Sequence, residues 1–329
     1  MNKNMETKTK QKKKLNFGEL YGKYGIFLLL VLIFAIASIL SRDFLTGYNL
    51  SNILKQITVV SILALGMIFV IILGMIDCSQ GSQLALIGCA TCLVNIATGS
   101  LALTIIFAVV FGGAIGCLNG FIISKFDVPA FIMTLAMTEI ARGGALLISG
   151  GKTIKGLTPS FSFVGQGYLF GVIPVSVVVL AVLTVIAYLI LHKSVIGRHV
   201  FAVGGNAAAA RASGINPHKV IICAYMIEGI MVGIGSFVFM SRMNSGPPAS
   251  GVGYEFDAIT ACVVGGASLN GGTGSIIGAI IGSIIVGIIN NVQNLLNVNS
   301  YWQQVVKGTV ILLAVIIDVL SKRSAAKKH

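Results

Sequence analysis

Charge is scarce in this chain, and negative charge is scarcest. Ten of 329 residues are Asp or Glu and 23 are Lys or Arg, so charged side chains make up 10%. A soluble domain carries about 25%. Too little polar surface is left to cover a globule, which excludes a water-soluble fold. Histidine is also sparse. His192, His199, His218 and His329 all fall in polar stretches, and no Ser-His-Asp constellation is in view. The six cysteines lie in or beside apolar segments. Cys89 and Cys92 form a CxxC, but no second pair or nearby histidine completes a metal site, so they read as small packing residues. Gly151-Lys152-Thr153 resembles the end of a phosphate loop, yet the glycine required five positions earlier is Leu146. Gly272, Gly274 and Gly278 miss a dinucleotide fingerprint by one position, and no strand precedes them. The chain is therefore expected to be no enzyme, with no cofactor, metal or nucleotide of its own.

Apolar residues are what is present, at 56%, with a mean hydropathy of +0.94. This composition predicts an all-α polytopic membrane protein. The formal net charge of +13 sits at the ends: seven lysines in 1–23 and four basic residues in 321–329. Basic tails beside apolar spans follow the positive-inside rule and suit a membrane lipid surface. Nucleic acid is not expected, because no basic stripe interleaves with aromatics. The early apolar run continues past Ala35 and Ala37, so it reads as a retained span and not a cleaved signal.

The hydropathy pattern divides the chain into a basic tail over 1–24, a membrane domain over 25–320 and a basic tail over 321–329. Ten spans are expected, near 25–40, 57–74, 82–98, 101–124, 129–148, 172–191, 220–240, 258–269, 274–290 and 302–320. Residues 149–171 read as an external loop, and 192–219 as a basic loop without an acid. With the N-terminus in the cytoplasm, ten spans place 16 basic residues inside and five outside. The piece 258–269 is short of the ~20 residues a crossing needs. Dropping it would move Lys322, Arg323, Lys327 and Lys328 outside, so it is expected to cross as a short or broken helix. Both termini are then cytoplasmic. GMIDCSQGS (74–82) and GGASLNGGTGS (265–275) look faintly alike, each leading into an apolar, glycine-bearing helix.

Besides Lys307 in the last span, four ionisable residues near or within spans stand out. Glu139 and Arg142 are three apart on one helix face, a spacing that lets them pair. Glu228 has no partner on its own helix, and Asp77 sits in the break after the second span. An isolated acid at depth costs about 2.5–3.5 kcal/mol, so these residues are expected to face a cavity or the bundle interior. They are the candidate translocation path. Interhelical hydrogen bonding is the alternative for Glu228, and for Glu139 and Arg142 a structural ion pair is the favoured reading, because a paired charge already has its explanation. Asn119, Asn290, Asn291 and Gln303 lie near span ends, where the interface accounts for them. Gly112, Gly116 and Gly120, and again Gly274, Gly278 and Gly282, are spaced four apart for close helix packing. In the basic loop, Ala207–Ala212 favours a short helix, with Asn206 as N-cap and Gly214 as its stop. A helix this short needs a partner to stay ordered.

Five stretches resemble the permease subunits of bacterial ABC importers for monosaccharides: ALGMIFVIILGMIDCSQGS (64–82), DVPAFIMTLAMTEIARG (127–143), IGRHVFAVGGNAAAARASGI (196–215), YEFDAITACVVGGASLNGGTGSIIGAIIG (254–282) and SYWQQVVKGTVILLAVIID (300–318). The C-terminal third is similar to galactose and methyl-galactoside permeases, with ribose permeases close. The resemblance implies a plasma-membrane subunit that pairs with a second permease, identical or different. It also implies a cytoplasmic ATP-binding subunit and an extracytoplasmic sugar-binding protein. Gly205, Asn206, Ala209, Arg211 and Gly214 would form the ATPase-coupling loop. The loops 149–171 and 241–257 would meet the binding protein. Where the family carries Glu-Ala-Ala, residues 207–210 are all alanine. Positions 139 and 228 hold Glu in place of small or apolar residues, while Asp77 matches. The alternative is an ion-coupled secondary transporter with Asp77 and Glu228 as a proton relay.

Overall fold

The structure, a computed structural model, describes residues 17–326. Most of the expected N-terminal tail, residues 1–16, and Lys327, Lys328 and His329 of the other tail lie outside the described residues. The chain is built mostly from helices, and among the described residues seven are long and apolar enough to cross a membrane. They are α2 (Gly47–Ile72), α3 (Gln80–Thr98), α4 (Leu101–Phe126), α5 (Ala130–Ser149), α7 (Val175–Tyr188, continued by a π-turn over Leu189–Lys193), α10 (Pro217–Met243) and α12 (Ile276–Leu295). To these are added α1 (Phe17–Leu40), the short α11 (Tyr254–Val264) and α13 (Ser300–Ala326).

Helix α2 is the hub. From Ile57 to Ile72 every residue is buried, because the stretch is apolar all round, the mark of a helix enclosed by others. Helices α10 and α12 are also mostly enclosed, while α4, α5 and α7 are peripheral. The peripheral helices expose Val110, Ile132, Ile140, Leu147 and Val185. That is the outward face expected where the solvent is lipid.

The residues expected as a bare external loop are folded. They form α6 (Pro159–Gln166) and a hairpin of β1 (Tyr168–Leu169) and β2 (Ile173–Pro174), a small exception to the all-α reading. Thr158 caps α6. Lys55 donates to Gln166 O and lies over the Tyr168 ring, whose hydroxyl bonds Ser51. This ties the hairpin to the start of α2 and marks one end of the bundle, the hairpin end. The other end carries α8 (Val195–Gly205) and α9 (Ala207–Ala212).

Two breaks interrupt the helices. After α2 the chain turns back as non-helical residues 73–79, and α3 starts deep inside, where Gln80 Nε2 reaches Leu63 O. The expected span 258–269 is the second. Helix α11 has eleven residues, about 16 Å at 1.5 Å per residue. It stops at Gly265, and irregular chain follows from Gly265 to Ser275. Helix α12 then returns antiparallel to α11: Asp257 faces Asn290, Ala261 faces Gly282 and Gly265 faces Gly278.

The glycine spacings do what their period suggests, with one correction. Gly112, Gly116 and Gly120 put α4 against the backbone of α10 at Gly229, Tyr225 and Ile222. Gly278 and Gly282 let α12 touch α11. Gly274 lies before the start of α12 and packs on the Ile72 and Ile68 side chains of α2 instead, because the helix begins only at Ile276. The Asn residues expected at the interface are buried: Asn291 exchanges hydrogen bonds with Asn49, and Asn290 donates to Asp257. Asp257 also accepts from Lys307 of α13 at 2.9 Å, the one salt bridge among the described residues.

Two substitutions test this packing. Gly116→Leu drives a side chain into Tyr225 O, and is expected to cost about 1–3 kcal/mol or more. Gly143→Ala meets nothing within 4 Å and is expected to be neutral or mildly stabilising. Melting of the detergent-solubilised protein compares them. Lys307→Met leaves the Asp257 carboxylate buried without its cation, at about 3 kcal/mol. Adding Asp257→Asn should recover most of that loss in the same melt.

Candidate functional site

The candidate residues fall into three places. The first is a polar cluster in the bundle interior. Asp77, in the first break, and Glu228, on α10, are both fully buried. Asp77 Oδ1 accepts from Ser79 N at 2.7 Å and Ser79 Oγ at 2.5 Å, and its Oδ2 accepts from Asn119 Nδ2 at 3.5 Å. Glu228 Oε1 accepts from Gln80 Nε2 at 2.7 Å. Gln83 Nε2 donates to Ser79 Oγ at 2.6 Å. Three segments separated by up to 148 residues are thus joined by side chains.

The break itself is held by hydroxyls. Thr138 Oγ1 donates to Cys78 O at 3.1 Å, while Thr134 Oγ1 and Tyr225 OH each approach Ile76 O at 3.5 Å. Away from water, carbonyls freed by a broken helix need such partners.

The second place is the seam between α3, α5 and the turn before α11. Glu139 and Arg142 do not pair, contrary to the expectation from their spacing. Arg142 Nη1 donates to Pro248 O and Ser250 O, each at 2.7 Å, so two backbone carbonyls take the guanidinium in place of Glu139. Glu139 lies on the exposed face of α5. The Glu255 side chain is half-buried, its Oε1 accepting from Gly253 N, and Gly81 at the start of α3 leaves the room its carboxyl occupies. Only glycine fits at Gly81.

The third place is the α9 end. Asn206 Oδ1 accepts from Ala209 N at 3.0 Å and caps α9, as the sequence predicts. Gly214 takes φ +84, and Ile215 N bonds back to Ala210 O, so the helix stops where glycine permits a left-handed turn. Gly205, Asn206, Ala209, Arg211 and Gly214 are exposed. Arg211 and Ala207 border a cleft of about 500 Å³, shared with Gly74, Met75 and Ile76 of the first break and Asp127 of the α4–α5 turn.

These places are connected. Gly272 N donates to Ile72 O at 2.8 Å, so the two breaks meet. Gly204 of α8 packs its bare α-carbon against Ile72 O and lies close to Gly272 N. His192, placed by the π-turn, offers Nε2 to Ile276 N at the start of α12. Pattern reading assigned Asn119 to the interface, whereas it is buried beside Asp77, and it missed the roles of Gln80, Gln83 and Gly204. Their one signal in sequence is polar or bare residues inside otherwise apolar runs, and partner helices far away in sequence carry no spacing to reveal them.

The comparisons agree with this architecture. The family model described as branched-chain amino acid transport system / permease component matches residues 49–315. The ribose import permease protein of Escherichia coli strain K12 is 43% identical over 299 residues, covering 89% of this chain and 92% of the relative. The ribose import permease protein of Bacillus subtilis strain 168 is 39% identical over 317 residues, covering 96% and 98%. The L-arabinose transport system permease protein of Escherichia coli strain K12 is 35% identical over 307 residues, covering 93% of each chain. No solved structure matches at the same stringency. The chain belongs to this family of ABC-importer permeases, with the monosaccharide import permeases, and is a multi-pass protein of the inner membrane.

Proposed function

We propose that this permease carries an aldopentose, ribose first among the candidates, into the cytoplasm as the membrane subunit of an ATP-driven importer. The observation that carries the sugar is the identity to ribose import permeases along nearly the whole chain. The α9 end is the cytoplasmic end. It gathers Lys125, Lys193, Arg198, Arg211 and Lys219, and ten crossings add the eleven basic residues of the two tails against five at the hairpin end, as the positive-inside rule requires. The path then crosses ten times, with α1, α11 plus its break, and α13 added to the seven long helices, and both termini fall inside.

A second permease copy covers the exposed face of α5, so Glu139 faces a shared path and not lipid. An ionised or polar carboxyl on a lipid-facing surface is costly, and a water-filled path removes that cost. Arg142 and Glu255 line the same seam toward the hairpin end, where the 244–253 turn and α6 receive the sugar-binding protein. The ATP-binding subunit docks on α9. The Gly204 junction carries its displacement to both breaks together, because α8 touches each of them through bare backbone. Coupling through shape replaces the charge that four alanines at 207–210 do not offer.

Reconstitution checks the reading. Uptake of labelled ribose into proteoliposomes is expected only with ATP, an ATP-binding subunit and a sugar-binding protein together. Uptake driven by a pH gradient through the permease alone would overturn it. Gly205 has open space where a Cβ would stand, so Gly205→Arg leaves the fold and melting point unchanged. It is expected to cut ATP-driven uptake at least about 10-fold, an energetic change near 1.4 kcal/mol. Unaltered uptake by this variant would place the ATPase contact elsewhere.

A further inference from the structure

The interior cluster contains two acids and no base, and its hydrogen-bond inventory does not close with both acids ionised. Asp77 and Glu228 stand in one cluster, Asp77 bonded to Ser79 and Glu228 to the next residue, Gln80, and neither is exposed. Among the described residues no Lys, Arg or His forms a salt bridge or hydrogen bond with either. Two carboxylates are acceptors only, so no bond can form between them without a proton, and two like charges in contact away from water are strongly disfavoured.

The donors are distributed unequally. Asp77 receives a backbone N–H, a hydroxyl and an amide N–H, the environment that stabilises an anion. Glu228 receives one amide N–H on Oε1, and its Oε2 has no partner at all. Gln80 Oε1, Gln83 Oε1 and Asn119 Oδ1 in the same cluster also lack a donor, but these are neutral amide oxygens, and Glu228 Oε2 is the bare oxygen among them that can itself carry a proton. We propose that Asp77 and Glu228 form a proton-binding site in which one resident proton sits on Glu228 Oε2 and is donated to the Asp77 carboxylate. The proton supplies the missing donor, satisfies the bare oxygen and lowers the cluster from two negative charges to one.

The surroundings support this placement from each packed element. Helix α2 contributes the Leu63 carbonyl, which takes a second contact from Gln80 at 3.3 Å, and no ionisable group. Helix α4 contributes Asn119, and α3 contributes Gln80 and Gln83. Helix α10 adds Tyr225, whose hydroxyl is directed to Ile76 O. Cys78 stands next to Asp77 in the break, and Glu255 and Arg142 lie in the neighbouring seam. The proton is thus a ligand that latches α10 to the first break. It is enclosed on all sides and is not passed on.

Infrared spectroscopy of the full-length protein in lipid tests the site without any transport assay. The wild type is expected to show the C=O stretch of a protonated, hydrogen-bonded carboxylic acid at neutral pH. That band should vanish in Glu228→Gln, which still folds because the amide N–H replaces the acid as donor to Asp77. It should persist in Glu139→Gln and in Glu255→Gln. Should Glu228→Gln fail to fold, carboxyl-13C glutamate in Glu255→Gln protein, otherwise native, must shift the band. Absence of an acid band in the wild type overturns the proposal. So does a band that survives Glu228→Gln and disappears in Asp77→Asn, and so does a band that the glutamate label leaves unshifted.

Discussion

Backbone polarity in a medium without water is the constraint on which the structure depends. A continuous helix satisfies its own carbonyls and amides, but residues 73–79 and 265–275 are not helical. Each open group there has to find protein, because lipid offers nothing. The two breaks answer this by meeting: Gly272 N bonds Ile72 O, and the threonines of α5 with Tyr225 bond the carbonyls of 76 and 78. The hub position of α2 follows. Its last residue has to reach the second break, so α2 must stay in the middle of the bundle.

Such contacts require backbone to touch backbone, and that explains the glycines better than flexibility does. Gly204, Gly271 and Gly272 crowd around Ile72 O, with Gly271 and Gly272 also at positive φ. A methyl at any of the three would separate α8 from the breaks. On the far side of the hub, Gly112 and Gly116 against Gly229 and Gly233 bring α4 onto α10. Helix α10 is therefore clamped by α4 on one face, while Glu228 on another reaches the first break. Close packing turns the interior into a few rigid pieces whose joints are the breaks.

Much of this is legible in the sequence. The membrane class follows from missing charge, and the short piece over 258–269 from length against the positive-inside count. Asn206 and Gly214 announce α9 by their own chemistry, since a cap and a left-handed stop are local. What escaped was what depends on a remote neighbour. Glu139 and Arg142 are well spaced to pair, yet Arg142 is claimed by carbonyls 106 and 108 residues away. Gly274 has the right period for a helix face, but the helix starts after it. Asn119 looks interfacial by its place near a span end, yet it is buried beside Asp77 because α4 tilts its Gly-rich face onto α10. The folded hairpin over 168–174 was invisible because two-residue strands leave no alternation to read.

The same distinction between local and remote bears on how a signal could travel. From α9 the contact route to the buried acids is short. Arg211 and Ala207 share a cleft with Gly74, Met75 and Ile76, and Asp77 is the next residue. Gly204 meanwhile presses on the last carbonyl of α2. A displacement of α8 and α9 cannot be absorbed by side chains at Gly204, since none stand between it and Ile72 O. It must move the first break, the second break, or both. Asp77 and Glu228 come next along that contact route, and Glu228 ties α10 to Gln80 at the start of α3. An interior that was only greasy would let the break slide past α10. Hydrogen-bonded acids give the joint a defined resting register, which a transporter with few alternating states requires.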